Sequence, residues 1–294
     1  MEVIATDAGR LLIPLHKPLL SNLLTFIRTS LWVIPMVVIF YFDILKPDVT
    51  NAISLWLGGS ALSLLLSHTS FRAILHKPIL PMISLKWIKT ALTGSLMFLA
   101  GSILFRVIMG GDKFIINNML GIHAVAIYSL FGSVALGVLS LVETGISSWH
   151  FPKLISQIDK GNLREARVLL NVFFKKNLLA TIVLMTSIGA TFPLAVKWLL
   201  SPEYFNHINV FFIISSAVII YCISMPFHYI IYGFKRDDVL LGIYLTTLIA
   251  IAVWCYFFLK PLGLPGGAWM FFIALSTIAL GRMAAAFHLL RSHS

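Results

Sequence analysis

Apolar residues run along this chain in long blocks separated by short polar links. The blocks fall at about 23–42, 51–67, 90–119, 124–147, 177–199, 209–231, 239–259 and 266–290. Most reach the roughly 18 to 20 residues that a helix needs to cross hydrocarbon. A strand of a membrane barrel would alternate apolar and polar positions, and runs such as VLLGIYLTTLIAIAVWCYFF do not. Inside a bilayer the backbone must satisfy its own N–H and C=O groups, which leaves the helix. The pattern therefore predicts an all-α integral membrane protein with eight transmembrane helices. The second block, SLWLGGSALSLLLS, is the weakest, being short and glycine-bearing, and the third is longer than a bilayer requires.

The links add an orientation. One alternate set holds Arg10, Lys17 and Arg28, then Arg72, Lys77, Lys86 and Lys89, then six cations from Lys153 to Lys176, then Lys235 and Arg236, and finally Arg291. The opposite set holds only Lys46, Lys197 and Lys260. Positive charge is retained on the cytoplasmic side, so the first set, with both termini, is expected there. The start, MEVIATDAGRLLIPLHK, carries acids, histidine and prolines and reads as a stretch between helices rather than a leader peptide.

Composition agrees with the pattern: 59% of residues are hydrophobic and 11% charged, about half the charge of a soluble domain. The net charge of +11 does not point to nucleic acid, because the cations lie in short links between spans rather than on a water-facing module. In the link after the fourth block, WHFPKLISQIDKG is amphipathic and basic, as expected of an element at the membrane interface. Asn162, three residues before Glu165, predicts the cap of the next helix. The cations there either hold the topology or contact a phosphate-bearing substrate.

Nucleotide-loop, zinc-protease and nucleophile-elbow patterns are absent from the sequence. The nine histidines are scattered without ligand spacing, no metal or cofactor is expected, and Cys222 and Cys255 lie inside apolar runs as small hydrophobes. Ionisable groups within spans are the informative ones, since they are costly in lipid and turn toward a cavity or one another. At about 100° per residue, Ser102, Arg106, Lys113 and Asn117 all lie within about 40° of Ser95 on the third helix. That stripe is expected to line a polar, substrate-accessible cavity, with snorkelling as the rival reading for Lys113. Asp112 points about a quarter-turn away. In the fourth block Glu143 shares a face with Ser129, Gly132 and Ser140, and either forms a structural ion pair, with Arg282 as one partner, or couples transport to an ion. Arg282 is a second candidate for anion contact. Pro35, Pro193 and Pro226 interrupt spans and bend them. Arg106, Lys113 and Arg282 with few buried acids favour an anion, and arginine suits phosphate because its planar donors meet two oxygens.

Three stretches resemble the oligosaccharide flippases of polysaccharide biosynthesis, a branch of the superfamily that includes multidrug and toxic-compound extrusion transporters and lipid II flippases. They are GDKFIINNMLGIHAVAIYSLFGSVA, in which Asp112, Lys113, Gly121 and Tyr128 match, FPKLISQIDKGNLREARVLLNVFFKKN, in which Pro152, Gly161 and Lys176 match, and GFKRDDVLLGIYLTTLIAIAVWCYFFLKPLGLPGGAW, with Gly267 and Ala268 in its return. Lys113 stands where arginine is commoner, and Ala126 where glycine is common. The resemblance implies a MATE-like fold of two six-helix lobes around a central cavity. The activity it implies is translocation of undecaprenyl-pyrophosphate-linked oligosaccharide across the bacterial inner membrane, in contact with membrane lipids and with polysaccharide-assembly proteins. Residues 1–89 then correspond to a partial first lobe of two helices and 90–294 to a complete second lobe, so the first four helices of a full member have no counterpart here. Three rivals stay open: a multidrug efflux transporter, a membrane glycosyltransferase or glycan polymerase, and an inactive or structural membrane fragment. Short external links such as FDILKPDVTN and SPEYFNH leave the polymerase little room for a sugar-handling loop.

Overall fold

The computed structural model describes residues 2–13, 15, 17–46, 48–75 and 84–292. Lys77, His16, His76 and His293 lie outside them, as do the side chains of Arg10, Arg72 and Lys86. The described residues form helices and no strand, as the unbroken apolar blocks require. Contacts divide the chain into two compact units, Met1–Ser84 and Leu85–Ser294.

In the first unit, α1 (Glu2–Leu11) packs against α2 (Pro18–Phe26) and α4 (Val49–Leu75), with α3 (Val33–Tyr41) also on α4. A π-helical turn at Ile27–Leu31 joins α2 to α3. Arg28 Nη1 donates to Thr6 Oγ1 at 2.5 Å, and Ser63 Oγ to the Leu24 carbonyl at 3.0 Å. An apolar cavity of about 370 Å³, lined by Ile27, Trp32, Pro35, Leu55, Gly58 and Gly59, lies beside α4.

The second unit comprises α5 (Leu85–Gly110), α6 (Asp112–Leu120), α7 (Ile122–Val142), α8 (Ser148–Asp159), α9 (Leu163–Leu199), α10 (Pro202–Asn206), α11 (Ile208–Gly233), α12 (Asp237–Trp254), α13 (Lys260–Leu262) and α14 (Leu264–Ser292). Further π-helical turns occupy Glu143–Ser147 and Cys255–Leu259. α11 is the central post, packed against α7, α8, α9 and α14, while α12 bridges α14 to α5. Many large apolar side chains face outward, such as Leu179 at 65% and Trp198 at 83% exposure. In water that surface would drive association, whereas in lipid it is the surface matched to its solvent.

Seven helical segments among the described residues are long and apolar enough to cross a membrane, at Leu19–Tyr41, Val49–Ser70, Ile122–Asp159, Leu163–Leu199, Ile208–Gly233, Asp237–Leu262 and Leu264–Ser292. The block predicted as a crossing at 90–119, some of whose side chains lie outside the described residues, divides at Gly111 into α5 and α6, where a Cβ would sit 2.5 Å from the Val107 carbonyl oxygen. Gly121, at φ 88°, then turns α6 into α7, a backbone conformation that glycine adopts without the penalty an L side chain meets. Asn162 caps α9 as its sequence predicts: its Oδ1 accepts from the Glu165 amide at 3.4 Å and its Nδ2 donates to Glu165 Oε2 at 2.8 Å.

The proline inside the central helix is answered by a neighbouring helix. Pro226 has no amide, so the carbonyl four residues earlier, that of Cys222, loses its helical partner. Asn177 on α9, wholly buried, donates its Nδ2 to that carbonyl. In hydrocarbon a carbonyl left bare would cost several kcal/mol, which gives the buried asparagine its reason. Asn177→Ala is expected to destabilise by about 1–3 kcal/mol. In a Pro226→Ala background, where an amide again serves Cys222, the loss shrinks. A double-mutant cycle on thermal unfolding in detergent measures the difference.

Candidate functional site

Arg282 lies in the middle of α14, 2% exposed, among the largest fully buried side chains of the chain. Three other helices surround it. From α11, the Tyr221 ring lies under the guanidinium, with Cζ 4.7 Å from its centroid. The Nη2 group donates to Tyr221 Oη at 3.2 Å and, on α12, to Tyr244 Oη at 3.3 Å. From α5, Phe105 stacks on Tyr221 at 6.1 Å between centroids and tilts against Tyr244 at 5.5 Å. Gly281, next in the chain, lets α12 come close enough for this: a Cβ there would lie 2.9 Å from Ile243.

These partners are neutral. A guanidinium stays charged in proteins and carries five N–H donors, yet Nε and Nη1 of Arg282 have no hydrogen-bond partner among the described residues. Burying an ion costs several kcal/mol unless charge and donors are answered, and cation–π attraction returns about 2 kcal/mol when desolvated. His228 is near enough to feel the Arg282 charge, and its Nδ1 is also buried without a partner. Glu143 reaches Tyr221 and Cys222 electrostatically, but the hydrogen bonds of Arg282 go to the two tyrosines instead of to that carboxylate. Among the described residues, the hydrogen-bond partners of this buried cation are phenolic oxygens, and two of its donors have none.

The predicted stripe lies elsewhere. Arg106, Lys113 and Asn117 are exposed on the second unit and Ser102 is half-buried. The division at Gly111 falls between Arg106 and Lys113, so the last two stripe residues belong to a separate helix. It is Phe105, one residue before Arg106, that α5 contributes to the Arg282 cluster. A cavity of about 230 Å³ opens on a different side of α5, walled by Val107, Ile108, Leu248, Ile251 and Phe271, with Asp112 as its polar member.

Asp112 is buried, and its position follows from the Gly111 division. Its Oδ1 accepts from the Lys113 amide at 2.8 Å, as at a helix start, and its Oδ2 accepts from Tyr128 Oη at 2.6 Å. The Asp112 and Tyr128 pair thus ties α6 to α7 across the Gly121 turn. Lys113, beside it, keeps its side chain at the surface. Tyr221, Tyr244 and Phe105 gave no signal of their own in the sequence, because tyrosine and phenylalanine inside apolar blocks are equally at home against lipid. Among the described residues no three His, Cys, Asp or Glu side chains gather as a metal site, and Cys222 and Cys255 are free thiols.

Comparison with known proteins gives no match: no family model, no curated protein and no solved structure is similar to this chain at the level of a match. The class that fold and composition define is an all-helical, multi-pass membrane protein.

Removing the Tyr128 hydroxyl leaves a buried carboxylate oxygen short of a donor. Tyr128→Phe is therefore expected to lower stability by about 1–3 kcal/mol, read as a fall in unfolding temperature. In an Asp112→Leu background, where there is no carboxylate to serve, the same substitution should cost much less.

Proposed function

We propose that this chain belongs to a transporter that moves an anionic, phosphate-bearing lipid-linked saccharide across a membrane. The single observation that supports this reading most is Arg282, a buried cation whose ring partners leave Nε and Nη1 without acceptors. Phosphate oxygens are suited to those donors, and low surrounding dielectric strengthens the attraction. Exposed Arg106 and Lys113 add positive charge to the same unit. The resemblance to oligosaccharide flippases carried by Asp112, Lys113, Gly121 and Tyr128 names the cargo class, an undecaprenyl-pyrophosphate-linked oligosaccharide, and the bacterial inner membrane as its setting, with both termini cytoplasmic by charge asymmetry. On this reading the protein is a transporter rather than an enzyme, and cationic drugs are poor cargo because Arg282 repels them.

In this mechanism Phe105 and the two tyrosines hold the guanidinium ready, and movement of α5 away from α12 uncovers it. Pro226 in α11, five residues beyond Tyr221, lacks the amide that would stiffen the post there and gives it a place to flex.

The test is complementation of a strain lacking its O-unit flippase, using this chain and a version extended upstream, scored by surface polysaccharide. Rescue is expected, and Arg282→Gln should reduce it by at least roughly tenfold, the effect of losing about 1.4 kcal/mol or more of cargo interaction, with membrane abundance and unfolding temperature held near the parent. Arg282→Lys, which keeps charge without the planar fork, should fall between. Full rescue by a stably inserted Arg282→Gln protein sinks the anion reading, and protection against drugs without any effect on surface glycan would move the assignment to efflux.

A further inference from the structure

The longest helix overshoots the membrane. α9 has 37 residues, about 55 Å at about 1.5 Å per residue, against about 30 Å of hydrocarbon. Its apolar stretch, 177–199, accounts for the crossing by itself, so residues 163–176 stand at headgroup level or beyond. α8 packs along this overhang, its Leu154 and Ile158 buried and its Lys153 outward.

Most of the ionic groups at this end that have a described partner are engaged close by. Arg167 Nη2 donates to the Leu290 carbonyl at 2.6 Å and so caps the last turn of α14. Lys235 Nζ lies 3.8 Å from Asp159, Arg236 is paired with Asp238, and Glu165 is held by Asn162. Lys153, Lys160, Arg164, Lys175 and Lys176 are exposed, and no acid is described on any of them.

Helical spacing arranges these cations in rows. Lys153 and Lys160, seven residues apart, differ by about 20° around α8 and its end, and Arg164 and Lys175, eleven apart, by about 20° around α9. Val168 and Val172, 57% and 41% exposed, lie between the latter pair, and Leu179 and Ile182, 65% and 49% exposed, carry the same face down into the apolar stretch. A cationic row at headgroup level that continues into an exposed aliphatic row has the two-part chemistry of a glycerophospholipid. We propose that the α8–α9 overhang binds anionic phospholipid, with headgroup phosphate on Lys175 and an acyl chain along Leu179 and Ile182, while Lys153 and Arg164 add the attraction of their charge from farther out. This inference rests on the membrane class alone and stands whatever the transporter carries.

The experiment reconstitutes the full chain in nanodiscs of phosphatidylcholine with and without phosphatidylglycerol, and measures lipid retained after mild extraction by native mass spectrometry. The parent should retain phosphatidylglycerol in preference to phosphatidylcholine. Each cation near an anionic surface is worth roughly fivefold in partitioning, so Lys153→Gln, Arg164→Gln and Lys175→Gln together should weaken that retention by at least roughly tenfold. Lys46→Gln, Lys197→Gln and Lys260→Gln together should leave it unchanged. All these side chains are exposed, so folding is not at stake, and unfolding temperature in detergent checks it. Equal retention of the two lipids by the parent, or undiminished phosphatidylglycerol on the first triple variant, overturns the proposal. So does binding of an oligonucleotide or inorganic phosphate that accounts for the whole charge dependence without lipid.

Discussion

A bilayer interior supplies no hydrogen-bond partner, and that one constraint organises this protein. It selects helices, and it demands an explanation wherever a helix is interrupted or a polar side chain is enclosed. The interruption at Pro226 is answered by Asn177, which serves the stranded Cys222 carbonyl from a neighbouring helix. The interruption at Gly111 is answered by Asp112, whose carboxylate takes the Lys113 amide and the Tyr128 hydroxyl together. Each break is closed by a side chain chosen for the group it leaves bare.

Arg282 is the place where the same constraint is met only in part. Its charge rests on an aromatic face and two phenolic oxygens contributed by α11 and α12, with Phe105 of α5 packed behind. Neutral partners hold a cation without cancelling it, and on the proposed reading the site thereby keeps its attraction for an anion. The close approach at Gly281 is what allows α12 to reach the cluster, so a small residue and a large charged one work as neighbours. The buried ion and the packing that surrounds it therefore form one device rather than two.

The surface obeys the complementary rule. Aliphatic and aromatic side chains face outward over the spans, and charge is confined to their ends. The overhang of α9 shows how the two zones are joined: one helix passes from hydrocarbon to headgroup level, and its exposed face changes from Leu179 and Ile182 to Lys175 and Arg164 as it does so.

Most of the spans and the Asn162 cap were legible in the sequence, because each depends on composition or on neighbours within about one turn, while helix lengths such as the 37 residues of α9 were not. Arg282 was legible as an oddity, since a guanidinium within an apolar run is costly anywhere. Its aromatic partners were not, nor the choice of Phe105 over Arg106, nor the pairing of Asp112 with Tyr128 and of Asn177 with Cys222. In a soluble protein, helical periodicity tells the inner face from the outer one. Here core and lipid are equally apolar, so the period of the sequence points nowhere, and only the packing of one helix against another decided which side chains meet.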